Sequence, residues 1–118
     1  MAAIKIYHNP HCSKSRATLS LLEENKLSPE IIYYLETPPD TAELTELLEM
    51  LGMGIRDILR QNEAEYDRLG LDDESLSEAT LLDSVYQHPQ LMQRPIVVRG
   101  NRAILGRPPE NVLQLIGA

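Results

Sequence analysis

Four β-like runs fall in two separated pairs, and that spacing limits the folds open to this chain. In Ile4–Tyr7, Lys5 sits between two isoleucines, the alternation of a strand. Ile31-Ile32-Tyr33-Tyr34 is β-branched and aromatic, which suits a second strand. Between them Asn9-Pro10 marks a loop. Ser13 to Asn25 then reads as a helix with Ala17, Thr18, Leu21 and Leu22 on one face. A crossover of this length joins parallel strands in a right-handed βαβ unit. In the second pair, Pro95–Val98 and Ala103–Leu105 enclose Arg99-Gly100-Asn101-Arg102, which reads as a hairpin turn. Pro108-Pro109 suits the first turn of a last helix, with Val112, Leu113 and Ile116 facing inward.

The stretch between the pairs is helical. Thr37-Pro38-Pro39 breaks the chain, and Asp40 with Glu43 three residues on resembles a capping box. Leu44, Leu47, Leu48 and Leu51 follow at i, i+3, i+4 and i+7, and Gly52 is placed to end that helix. A short helical piece holds Ile55, Ile58 and Leu59. Another runs from about Ser77 to Gln87, pairing Leu81 with Val85 and Leu82 with Tyr86, and Pro89 stops it. The order βαβ, helices, ββα predicts an α/β protein with a four-stranded mixed sheet flanked by helices. With a cysteine after the first strand, this is the thioredoxin-like arrangement, carrying a helical insertion at about 40–90. The 118 residues, 42% of them apolar, suit a single domain over 1–118.

No run approaches the roughly 20 apolar residues of a membrane span, and Met1-Ala2-Ala3-Ile4-Lys5 lacks a signal-peptide pattern. A cytoplasmic protein with no membrane partner is expected. The formal net charge of −7 argues against nucleic-acid binding. Acid is concentrated in 63–78, where Arg68 is the only base. That run reads as a solvated helical face and loop, or as a docking surface for a basic partner.

The stretch "YHNPHCSKSR" contains the only cysteine, Cys12. One thiol excludes an internal disulfide and a multi-cysteine metal cluster, and no bound cofactor or metal is expected. At the start of the first helix, unpaired N–H groups and the helix dipole favour an anion, and they depress cysteine pKa values. Lys14 and Arg16 add positive charge there, and His8 and His11 are near enough in sequence to donate to sulfur. The competing reading, a small buried core cysteine, is opposed by the polar and charged flanks. Cys12-Ser13-Lys14-Ser15 is C-x-x-S, and a serine cannot resolve a mixed disulfide. If the thiol is redox-active, an external thiol such as glutathione or a glutaredoxin must resolve its adduct.

Three arginines bear on that thiol. Arg94 precedes Pro95, and in thioredoxin folds the bond before that proline is commonly cis and lies against the active cysteine. Arg107 lies between Gly106 and Pro108, and Arg60 ends "IRDILR". Arginine presents a planar fork of donors that fits tetrahedral oxyanions. By composition each is equally a solvated or salt-bridging surface residue, and spacing alone does not bring 12, 60, 94 and 107 together.

"IYHNPHCSKSR", "LRQNEAEYDRLGL", "HPQLMQRPIVV" and "LGRPPENVL", in that order, resemble the glutaredoxin-linked arsenate reductase family, over roughly residues 4–116. The resemblance implies a thioredoxin-like fold and reduction of arsenate to arsenite in arsenic detoxification, through a Cys12–arsenate adduct. Glutathione is the implied co-substrate and glutaredoxin the implied partner. The resemblance makes Cys12 the nucleophile and has Arg60, Arg94 and Arg107 bind and stabilise the oxyanion. It has His8 help keep the thiolate and the Ser15 hydroxyl donate to sulfur. Members tied to resistance operons often carry a C-terminal extension, whereas this chain ends at Ala118, like the short chromosomal type. The alternatives are a redox-linked protein-binding regulator of the same fold and a glutathione-dependent thiol oxidoreductase. The C-x-x-S spacing and the three arginines speak against the regulator.

Overall fold

A computed structural model describes residues 3–116. The chain packs as two compact units, one built from the segments up to Thr37 and from Arg94 onward, the other from Pro38–Gln93. The helical stretch between the two strand pairs packs within the Pro38–Gln93 unit.

The first unit holds β1 (Ile4–His8), α1 (Ser13–Glu24), β2 (Glu30–Tyr33), β3 (Ile96–Arg99) and β4 (Arg102–Leu105). Strand order is β2-β1-β3-β4. β1 pairs parallel with β2 and antiparallel with β3, and β3 and β4 form the antiparallel hairpin. This is the four-stranded mixed sheet of a thioredoxin-like fold. The register sets Ile31, Ile6, Val97 and Ile104 opposite one another across the sheet. They form one apolar row because side chains on paired strands share a face. Ile4, Ile6 and Val97 bury against Leu22 of α1 and against Val112 and Leu115, and Leu19, Leu27 and Ile116 pack around them. Full burial of each such side chain is worth roughly 1.5–3 kcal/mol. The hairpin turns at Gly100, whose φ of 64° favours glycine.

Two details differ from the sequence expectation. The buried stripe of α1 is Ser15, Thr18 and Leu22, and Ala17 is exposed. The last helix is a 3-10 helix, Pro109–Gln114. There the Asn111 side chain donates to the Arg107 carbonyl at 3.2 Å, and its main-chain N–H turns to Pro108 at 3.0 Å. The Leu115 N–H likewise donates to the Val112 carbonyl at 3.0 Å, the i, i+3 pattern of the tighter helix. The buried spacing follows: Val112 and Leu115, three apart, enter the core, and Leu113 is half-buried.

The second unit holds α2 (Thr41–Leu51), a 3-10 turn (Ile55–Ile58), α3 (Ala64–Arg68), α4 (Glu78–Gln87) and a second 3-10 turn (Pro89–Leu91). Asp40 caps α2, accepting from the Glu43 N–H at 2.8 Å, and Gly52 ends it at φ 69°. α2 packs on α4, and Leu44, Leu47, Leu48, Leu81, Leu82 and Val85 are buried. Tyr86, expected to pair with Leu82, is 39% exposed. The acidic run holds α3 and then a loop that Arg56 braces, donating to the carbonyls of Leu71 at 2.8 Å and Asp73 at 2.7 Å. Leu59 and Met92 form an antiparallel bridge, closed by Arg60 N–H to Leu91 and Gln93 N–H to Ile58, both 2.7 Å.

Candidate active site around Cys12

The loop from β1 to α1 is shaped by Asn9, which is buried. Its main-chain carbonyl accepts from the Cys12 N–H at 3.1 Å, and its side-chain oxygen accepts from the His11 N–H at 2.9 Å. The sequence marks a loop at Asn9-Pro10, but not this bracing role of the Asn9 side chain. Arg16 reaches back from α1 and donates to the Pro10 carbonyl at 2.8 Å. One cation expected at an anion-attracting rim thus holds the loop. Lys14 and His11 are exposed.

Cys12 is the N-cap of α1, in extended conformation at φ −100°, ψ 122°. Its carbonyl accepts the first helical bond, from Arg16 at 3.0 Å. The free N–H groups of the first turn gather at this end of the helix, and the Cys12 side chain closes no capping hydrogen bond with them. Burial pushes the Cys12 thiol up. The Ser15 N–H, the donating Arg94 side chain, the Lys14 N–H and the charge of Arg94 outweigh that, so the thiol lies below its usual value.

His8 ends β1 and is buried. Its Nδ1 lies 2.6 Å from Ser15 Oγ, and that oxygen accepts from the Asn9 N–H at 3.1 Å. Tyr33, opposite His8 on β2, meets its ring edge to face at 6.0 Å. Burial and then the Arg16 charge lower the His8 pKa, which favours the neutral imidazole. His8 acts on the Cys12 loop through Ser15. The Ser15 hydroxyl is engaged by His8 and Asn9, and it is the Ser15 main-chain N–H that favours the thiolate.

The Arg94-Pro95 bond is cis, and so is Arg107-Pro108. Arg94 lies near enough to Cys12 to favour its thiolate, and Arg107 Nη1 donates to the Arg94 carbonyl at 3.1 Å. The first unit thus gathers Cys12, His8, Ser15, Arg94 and Arg107. Arg60 belongs to the second unit, where its Nε lies 3.3 Å from Glu63 Oε1 and its side chain is 14% exposed. Beside the Cys12 loop, His8, Pro10, His11, Tyr33, Leu35 and Glu36 line a cleft of about 110 Å³. Among the described residues no group of three His, Cys, Asp or Glu could hold a metal ion, and no helix is long and apolar enough to cross a membrane.

A cysteine at the N-cap position of the helix after the first strand, beside an arginine that precedes a cis proline, makes this a cysteine site of the thioredoxin-like class. The ArsC family model matches residues 7–115, and the chain belongs to that family. It is 54% identical over 115 residues to an Escherichia coli K12 protein called uncharacterized protein YfgD, covering 97% of both chains. It is 47% identical over 113 residues to an arsenate reductase of Neisseria meningitidis serogroup A, covering 95% of this chain and 97% of the relative. The solved arsenate reductase of Vibrio cholerae superimposes with a TM-score of 0.93 at 46% identity, over 96% of this chain and 97% of that one.

Proposed function

We propose that the chain is an arsenate reductase that uses glutathione and glutaredoxin as reductants. The observation that carries this reading is the environment of Cys12: a thiol drawn below its usual value by the Ser15 N–H and by Arg94, with no second cysteine in the sequence. Relatives named arsenate reductase, 41–47% identical to this chain, support the choice of oxyanion.

The Cys12 thiolate attacks arsenic and displaces one oxygen, which leaves as water once protonated. Arg94 and Arg107 neutralise the oxyanion charge as the As–S bond forms; one such donor is worth roughly 2.7–4 kcal/mol in other enzymes. The family motif adds Arg60 as a third oxyanion ligand. Glutathione then displaces a second oxygen as water, placing two sulfurs on As(V). A glutaredoxin thiolate attacks the glutathione sulfur, and the electron pair of that As–S bond stays on arsenic, which becomes As(III). The glutaredoxin–glutathione mixed disulfide leaves with the two oxidising equivalents. Water displaces Cys12, restoring the thiol and releasing arsenite.

The deciding experiment is arsenite formation by the purified protein with arsenate, glutathione and glutaredoxin. Turnover that needs both thiols and vanishes in Cys12→Ser is expected. No arsenite from the wild type, or full turnover in Cys12→Ser, overturns the proposal.

A further inference from the structure

Position 106 has no room for a side chain. A Cβ there would lie 2.5 Å from Thr18 Oγ1, 2.9 Å from Pro95 Cγ and 3.0 Å from Thr18 Cγ2. Gly106 is not among the positive-φ glycines, so the requirement is one of space. Thr18 is fully buried, and its hydroxyl donates to the Lys14 carbonyl at 2.8 Å while lying 3.4 Å from the Gly106 carbonyl. On its other side, the Gly106 N–H donates to the Pro95 carbonyl at 3.0 Å. Three pieces of chain therefore meet at this one glycine.

Each piece leads directly to a member of the site. α1 runs from Cys12, its N-cap, to Thr18 in under two turns. Pro95 is bonded to Arg94. Gly106 is bonded to Arg107, which ties back to the Arg94 carbonyl. We propose that the contact of Gly106 with Thr18 and Pro95 is the joint that sets the spacing between the Cys12 sulfur and the guanidinium groups of Arg94 and Arg107. Gly106 and Thr18 are then positioning residues for the thiolate, and neither needs to touch substrate.

The physics is that of a packed hinge. Protein interiors are close-packed and transmit displacement rather than absorb it. A methyl at 106 must push α1 away from the Pro95 turn, because Thr18 is a short buried side chain with nowhere to swing. The Cys12 sulfur moves with α1 and Arg94 moves with Pro95. The charge-assisted hydrogen bond between them depends steeply on distance and angle, so it weakens first. An ordinary overpacked core site would lose stability and leave the thiol unchanged.

The test reads the thiol itself, so its outcome is independent of whether arsenate is the substrate. Cys12 is the only thiol, and its alkylation rate against pH reports its titration directly. Gly106→Ala is expected to raise the Cys12 pKa, lowering its acid dissociation constant by about threefold to tenfold, where tenfold is one pKa unit. Thr18→Ala, which loosens the same contact, is expected to raise it less. The double variant Gly106→Ala/Thr18→Ala removes both threonine atoms that the new methyl meets and keeps the Pro95 Cγ contact, so its titration should return part of the way toward wild type. Folded single variants with unchanged Cys12 titration overturn the proposal, as does a double variant shifted at least as far as Gly106→Ala. If Gly106→Ala does not fold, Thr18→Ala decides: a raised pKa supports the joint and an unchanged one removes it.

Discussion

The Arg107 guanidinium donates from Nη1 to the main-chain carbonyl of Arg94 at 3.1 Å. The residue that favours the Cys12 thiolate is thereby held from behind by a second cation. Arg107→Ala removes that tie together with one charge facing the proposed oxyanion. Turnover of arsenate is expected to fall about 10²–10³-fold, the usual cost of losing one positioned donor. Arg107→Lys keeps the charge and loses the fork, so it should recover only part of the activity. Steady-state kinetics on both variants checks this. Wild-type kinetics in Arg107→Ala would remove Arg107 from the site.

Arg94→Ala strips from Cys12 the side-chain hydrogen bond and the charge that help hold its thiol low. The thiol should then titrate closer to the ordinary value of about 8.5. Linkage gives a second readout. A folded pKa below the unfolded one contributes stability that is present above the unfolded value and lost as pH falls through the folded value. The urea midpoint of the wild type should therefore rise relative to Cys12→Ser as pH increases up to about 8.5. A constant difference between the two proteins over that window would show that the native thiol is not depressed.

Ser15→Ala leaves His8 Nδ1 and the Asn9 N–H without the oxygen both now use. Both residues are buried, so each unmade bond carries a desolvation cost, and about 1–3 kcal/mol of stability should be lost. Urea unfolding measures it. Loss of less than about 0.5 kcal/mol, an ordinary surface effect, would mean that the loop does not depend on this hydroxyl.

The histidine of that pair makes stability depend on acid. Burial, then Arg16, lowers the His8 pKa, so as pH falls the unfolded chain takes up the proton first, near 6.5. The contribution of neutral His8 is whole above that pH and declines as pH drops toward the lower folded value. Wild-type protein should lose more urea resistance between pH 7 and pH 5 than His8→Gln does. Parallel pH slopes for the two proteins would contradict a buried neutral imidazole.

Asp40→Ala should behave differently from all of these. Asp40 accepts the Glu43 N–H at the start of α2, and losing such a cap costs about 1 kcal/mol. The alkylation profile of Cys12 should not move, because the cap lies in the 38–93 unit. A shifted profile would show that the two units are energetically coupled.

The parts of this molecule that could be read from the chain are those with local causes. The alternation in Ile4–Tyr7, the Asp40 cap with Gly52 closing its helix, and the turn at Gly100 each depend on residues close in sequence, and each lies where expected. The failures depend on partners far away or on competing bonds. Ser15 is buried and Ala17 exposed, against hydropathy, because the Ser15 hydroxyl has His8 and Asn9 to satisfy it. The last helix takes the tighter 3-10 form, with i, i+3 bonds at Asn111 and Leu115. The approach of Arg94 to Cys12 spans 82 positions of sequence. No periodicity encodes that contact, and it was expected only from the resemblance of the motifs and the proline that follows Arg94. The space requirement at Gly106 was illegible for the same reason, since it depends on Thr18 and Pro95.

The position of β1 also governs the order in which the chain can be assembled as it is made. β1 is an inner strand, yet one of its neighbours, β2, ends at Tyr33 and the other, β3, begins at Ile96. At a ribosomal rate of about 5–20 residues per second, one full edge of β1 stays open for roughly 3–13 s while the intervening segment emerges. An unpaired apolar edge is a template for pairing with other chains. The whole 38–93 unit is made within that interval, so the chain holds all of its residues before the sheet receives its last two strands.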